Sequence, residues 1–319
     1  MAKEHMIDFY KLGEAKKNFF QSGITREYHF RKNQLKKLKR VIAENESAIV
    51  AALHKDLHKP AFESFTSEIG FLYTEIDDAL KNLKKWMKPK TVSTPIVHFP
   101  TRSKIYSEPL GVVLIIGPWN YPFQLLMAPL VAAMAAGNCI VLKPSEETPA
   151  TSSLIKKIVE ENFEYNYLSV IEGNGAQVVP AAVDVFRYDH IFFTGSVPVG
   201  KKIYEMAAKK LIPVTLELGG KSPVIVDATA DLKVSARRIA WSKFFNAGQT
   251  CVSPDYLLIQ ESVKEPFIKE FKLAVHDFYG PEPQESNDFA RIVNNKRMNA
   301  IKQYLQEGKI IMGGQVDDD

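Results

Sequence analysis

A continuous apolar run, VVLII at 112–116 between Gly111 and Gly117, constrains this chain more than any other stretch. A strand with one wet face alternates polar and apolar residues. Five apolar residues in succession suit a strand covered on both faces, as in a parallel sheet. The sequence that follows keeps the matching rhythm. A helix-like segment at 123–136 ends at Gly137, as a helix C-cap would. Then come a strand at 139–142, a helix at 151–161, a strand at 168–171 and a helix around Ala176. A strand at 190–193, a helix at 199–209 and a strand at 214–218 complete the series. Strands alternating with helices predict right-handed crossovers and a doubly wound, Rossmann-like α/β sheet. That architecture binds nucleotides beyond the carboxyl ends of its strands.

The flanks read differently. Residues 3–88 are expected to be helical, with Leu35, Leu38, Ile42, Ile49 and Leu53, then Ile69, Leu72, Ile76, Leu80 and Leu83, at helical spacing. Pro89 closes this region. The stretch 91–109 is rich in Thr, Ser and Pro, with Ile96, His98 and Ile105 alternating, which suggests an arm of edge strands. After Gly219 and Gly220 a second α/β region begins: strand 223–226, helix 232–245, strand 256–260, helices 263–278 and 294–306, and a last strand at 309–312. The chain stops at GGQVDDD, beside a strand edge with no closing element, and reads as cut short. The expected division is a cofactor-binding domain from 1–89 and 111–218, an arm at 90–110, and an incomplete catalytic domain at 219–319.

Composition excludes several classes. A net charge of +4, from 41 basic and 37 acidic residues, is too weak a bias for nucleic acid or a membrane surface. The densest basic run, 31–40, carries Leu35 and Leu38 at helical spacing and reads as a solvated helix face. Two cysteines make no disulfide framework, and a reducing compartment follows as the expectation. The N-terminus has no apolar signal core, and the apolar stretch 125–136 contains Pro129 and is too short to span a bilayer. The protein is expected to be cytoplasmic, without an integral membrane segment. No cluster of Cys and His suggests a metal site.

Five motifs carry chemistry. FNAGQTCV at 245–252 puts Cys251 on a loop between a helix-like and a strand-like segment, where a nucleophile would be placed; a small buried hydrophobe is the commoner fate of a cysteine. FTGSVPVG at 193–200 follows a strand and opens a helix, whose free N–H groups suit an anion; an ordinary strand–helix turn reads as well. Continued to Lys201, it nearly spells a phosphate loop, but Lys202 stands where Ser or Thr must hold magnesium. KPSE at 143–146 offers Lys143 and Glu146 to ribose hydroxyls at a strand's carboxyl end, or is simply a capped turn. PWNYP at 118–122 stiffens a turn with prolines on both sides and would fix the amide of Asn120; an Asn placed in a turn for local reasons is the commoner case. LELGGKSP at 216–223 flanks Glu217 with Leu216 and Leu218, so its carboxylate is expected to be partly desolvated and suited to act as a base, or it is a strand-end glutamate paired with a lysine. The seven histidines are all remote in sequence from Cys251, and there is no GxSxG elbow.

Taken in order, EPLGVVLIIGPWNYP, AAGNCIVLKPSE, FFTGSVPVGK, PVTLELGGKSP, FNAGQTCVSPDY and FARIVN resemble the NAD(P)-dependent aldehyde dehydrogenase superfamily, most closely its class 3-like branch. The resemblance covers nearly the whole chain. It implies Cys251 as the nucleophile, Asn120 with the Cys251 backbone N–H as an oxyanion hole, and Glu217 as the base that hydrolyses a thioester. It also implies Lys143 and Glu146 at the adenosine ribose, Gly195, Ser196 and Gly200 at the pyrophosphate-side turn, and Trp119, Leu218 and Gly219 as further cofactor contacts. The implied cofactor is NAD, with NADP possible, and the implied partners are an aldehyde and a second copy in a homodimer. The family's later E-x-F-G-P motif is missing; DFYGP at 277–281 falls before FARIVN. Three rivals remain: an acylating relative that uses coenzyme A, a cysteine hydrolase or thioesterase, and a non-catalytic fragment.

Overall fold

The computed structural model describes residues 8–317; residues 3–7 of the expected helical region lie outside them. Helices α1 (Phe9–Gln21), α2 (Tyr28–Glu44), α3 (Glu46–Leu57), α4 (Ala61–Ser64) and α5 (Gly70–Trp86) precede the sheet. A π-helical turn, Phe65–Ile69, joins α4 to α5. The apolar positions read from periodicity are buried, apart from Leu80, which packs half-buried against the same core. Each such side chain contributes about 1.5–3 kcal/mol by leaving water.

The arm is a hairpin of β1 (Lys90–Val92) and β2 (Ser103–Ile105), antiparallel, with Lys90 opposite Ile105. Ile96 and His98 do not alternate on a strand. They lie in a 3-10 turn, Ile96–His98, and Ile96, Val97 and Phe99 are 88%, 82% and 84% exposed. Pro95 and Pro100 bracket this turn and cannot donate to a ladder, which confines pairing to the hairpin's base.

The sheet comprises β3 (Val112–Ile116), β4 (Cys139–Lys143), β5 (Leu168–Val170), β6 (His190–Gly195) and β7 (Val214–Leu218), all parallel, in the order β5-β4-β3-β6-β7. Every residue of β3 and β4 is buried, as their apolar runs require. The crossovers are α6 (Gln124–Ala136), α7 (Pro149–Asn162), α8 (Gly175–Val185) and α9 (Val197–Ala208). The order runs outward from β3 to β5, then returns to its other side with β6. The carboxyl ends of β3 and β6 therefore flank the switch point, where such sheets form a crevice. Gly137 ends α6 with φ of 90°, and a Cβ there would lie 2.6 Å from the Arg31 guanidinium. Only glycine fits.

The second unit pairs β8 (Ser222–Val226) with β9 (Pro254–Ile259) in parallel, beneath α10 (Leu232–Phe244) and α11 (Glu261–Tyr279). Small clusters around Ala236, Ala240, Phe267 and Val275 form its core. A short helix, α12 (Asn295–Lys302), follows. The strand expected at 309–312 is not formed. Ile310, Ile311 and Met312 are about half exposed and line an open apolar groove of about 750 Å³ with Leu257, Phe267 and Phe271. An apolar run becomes a strand only against a hydrogen-bonding neighbour, and β8 and β9 pair only with each other among the described residues.

Candidate active site

The turn after β3 and the loop after α10 meet. Asn120, half-buried, donates from Nδ2 to the Gln249 carbonyl at 2.8 Å. Tyr121 OH and Thr250 Oγ1 lie 2.5 Å apart. Asn246 returns the contact, donating from Nδ2 to the Asn120 carbonyl at 2.8 Å. An amide nitrogen carries two N–H groups, so the second Asn120 donor is left over. Cys251, next in the loop, is exposed, whereas Cys139 is fully buried and burial pushes its thiol up to about 12. The buried fate expected of a lone cysteine therefore falls to Cys139. The Cys251 backbone N–H meets no acceptor among the described residues.

The loop is tightly wound. Asn246 and Ala247 have φ of 53° and 52°, and Gly248 follows at 77°. Left-handed conformations cost non-glycine residues roughly 1–2 kcal/mol each, so neighbours must enforce them. Gln249 supplies part of this. Its Nε2 donates to the carbonyls of Asn246 and Arg291, at 3.1 and 3.0 Å, and its Oε1 accepts from Val293 N at 3.0 Å. The FARIVN segment is thereby tied to the cysteine loop.

The turn is held from below by a fully buried ion pair. Lys59 and Glu68 are in direct contact, each 0% exposed. Glu68 Oε2 also accepts from Phe123 N at 2.9 Å and Gln124 N at 3.1 Å, capping the start of α6 with a charge that suits the helix dipole. Lys59 donates to the Asn120 carbonyl at 3.2 Å and sits 4.3 Å from the Tyr121 ring centroid.

On the sheet side, Lys143 ends β4 and donates to Glu146 at 2.8 Å. Burial raises the Glu146 carboxyl, but the Lys143 ammonium and the Gly175 N–H outweigh it and hold the group below its usual value. Gly195 ends β6, and Ser196 is the N-cap of α9 without a side-chain capping bond, so the first-turn amides remain open to another acceptor. Gly200 packs under Leu218, whose Cδ2 would lie 2.7 Å from an added Cβ. Gly219 is exposed. Trp119 is half-buried beneath the Arg297 guanidinium, 5.4 Å from its ring centroid. These groups sit at or just beyond the carboxyl ends of β3, β4, β6 and β7, the edge at which sheets of this kind bind dinucleotides.

Glu217 departs from expectation. It is exposed, and no hydrogen bond or ion pair engages its carboxylate among the described residues. In a strand, residues one apart point to opposite faces, so Leu216 and Leu218 cannot cover it. Hydrogen bonds join Asn120 to the Cys251 loop, and among the described residues none joins Glu217 to either. The sequence reading missed Lys59, Glu63, Glu68 and Gln249.

Residues 13–317 match the aldehyde dehydrogenase family. The chain is 48% identical over 305 residues to the 4,4′-diaponeurosporen-aldehyde dehydrogenase of Staphylococcus aureus, covering 95% of this chain and 66% of that protein. It is 42% identical over 300 residues to a rat "aldehyde dehydrogenase, dimeric NADP-preferring", covering 93% and 65%. Several family 3 members match at similar identity, among them one from Arabidopsis thaliana at 46%. The chain thus spans slightly less than two thirds of the length of these relatives. A substrate-bound Staphylococcus aureus AldH structure superposes with a TM-score of 0.94 at 46% identity, over 98% of this chain and 68% of that one. An indole-3-acetaldehyde dehydrogenase in complex with NAD+ superposes at 0.86 with 27% identity, over 97% and 64%. This chain belongs to the aldehyde dehydrogenase family.

Proposed function

We propose that the protein oxidises an aldehyde to a carboxylic acid with NAD, through a thioester on Cys251. One observation carries the reading: the Asn120 amide is bonded to the loop of the exposed Cys251, with one Asn120 N–H and the Cys251 N–H left without acceptors. Those two donors suit an oxyanion that forms when the Cys251 thiolate attacks a carbonyl carbon. Bound NAD supplies the hydride acceptor. Lys143, Glu146, Gly195, Ser196, Gly200, Trp119, Leu218 and Gly219 hold it. Glu217, exposed and unpaired, takes a proton from the water that cleaves the thioester, which releases the acid and restores the thiol. The ionised Glu146 disfavours a 2′-phosphate, so NAD is preferred over NADP. Two free cysteines fit a reducing, cytoplasmic setting. The exposed apolar tip of the arm, and the rat relative named dimeric, support a homodimer.

The test is NADH and free acid from a panel of aldehydes without coenzyme A. Acid formed only with coenzyme A would favour the acylating alternative, and ester cleavage with no NADH would favour a hydrolase. Asn120→Ala should lower turnover about 100- to 1000-fold, the usual loss for one oxyanion donor, with Kd for NAD unchanged. Full-rate turnover by that variant would remove Asn120 from the mechanism.

A further inference from the structure

The two loops that meet at the candidate site come from units far apart in sequence, and a third segment, 59–68, touches both. Its Lys59 and Glu68 hold the Asn120 turn, as described. Its Glu63, 5% exposed, accepts the Asn246 N–H at 2.8 Å. In a regular α-helix, residues five apart point roughly 140° away from one another. Here the π turn at Phe65–Ile69 intervenes, and both Glu63 and Glu68 are buried. Asn246 is itself fully buried and is the first of the three left-handed residues that lead to Cys251.

We propose that Glu63 is a positioning residue for Cys251: by accepting the Asn246 N–H it holds the 246–248 turn in its left-handed form and registers the Cys251 loop against the Asn120 turn. The catalytic meaning of that register rests on the function proposed above; the hold itself does not. Glu63 has no ion pair among the described residues. The groups facing it are Lys59, already engaged by Glu68, Tyr121 from the turn after β3, Tyr279 from α11 and Asp288 from the loop beyond. Burial pushes its carboxyl up to about 7, against the opposing pull of the Asn246 N–H and Lys59. A neutral carboxyl accepts more weakly than a carboxylate, so the hold slackens as pH falls through that value.

Two measurements on the whole chain test this. The first is amide hydrogen exchange in the peptide 245–252. Glu63→Ala should raise exchange there about tenfold at pH 8, leaving peptides from β3 and β4 unchanged. Glu63→Gln, whose side-chain oxygen still accepts, should stay within about twofold of wild type. The second is the pH profile of Cys251 alkylation by iodoacetamide, read by peptide mass spectrometry so that buried Cys139 is scored separately. Wild type should show an inflection near pH 7, and Glu63→Gln should lack it. Unchanged exchange at 245–252 in a folded Glu63→Ala protein overturns the proposal. Should Glu63→Ala fail to fold, a wild-type inflection retained in Glu63→Gln overturns it. Neither readout needs turnover, so an inactive wild type would defeat the function above and leave this result standing.

Discussion

Replacing Cys251 by Ser is expected to cut aldehyde-dependent NADH formation by roughly four orders of magnitude, the scale on which nucleophile deletions fall. Sulfur is the stronger nucleophile, whereas a serine hydroxyl would need a base to activate it. The side chains bonded next to Cys251, Asn120 and Tyr121, offer none, and the one carboxyl bonded to the loop, Glu63, is engaged five residues away by the Asn246 N–H. Because Cys251 is exposed, stability should change by less than about 0.5 kcal/mol. Turnover together with urea denaturation checks both halves. A Cys251→Ser protein within tenfold of wild type would show that the sulfur is not the nucleophile.

Glu68→Ala is expected to cost about 3–5 kcal/mol of stability, as breaking a buried pair does by stranding its partner's charge. Lys59 and Glu68 are both 0% exposed, so Lys59 would have no water to turn to. The Phe123 and Gln124 amides would also lose their acceptor. The loss should be visible as a drop in the urea midpoint with an unchanged slope. Lys59→Met combined with Glu68→Leu should recover much of it, because neither charge then remains to be desolvated. A drop below about 1 kcal/mol for Glu68→Ala would mean that Lys59 finds solvent in the variant. The pair links stability to function, since Lys59 also holds the Asn120 carbonyl.

What was legible in the sequence was local. The unbroken apolar run of β3, the cap at Gly137 and the loop chemistry of 246–251 each follow from residues within a few positions of one another. The meeting of Asn120 with Gln249 spans 129 residues, and that of Glu63 with Asn246 spans 183. No periodicity reports such pairs, and the motifs on the two sides entered through family resemblance. Glu217 was misjudged for a related reason: its sequence neighbours are apolar, but alternation turns them to the other face. The stretch 309–312 has the composition of a strand and lacks a partner to make it one. Lys59 and Glu68 were not singled out at all, because the π turn that faces Glu68 inward has no sequence signature.

The most direct test is to look for the thioester itself. In Glu217→Gln, incubated with an aldehyde and NAD and quenched in acid, peptide mass spectrometry should find an acyl group equal to the aldehyde less one hydrogen on the peptide containing Cys251, with NADH released in equal amount. NADH formed with no such adduct, or an adduct on any other residue, would contradict the account.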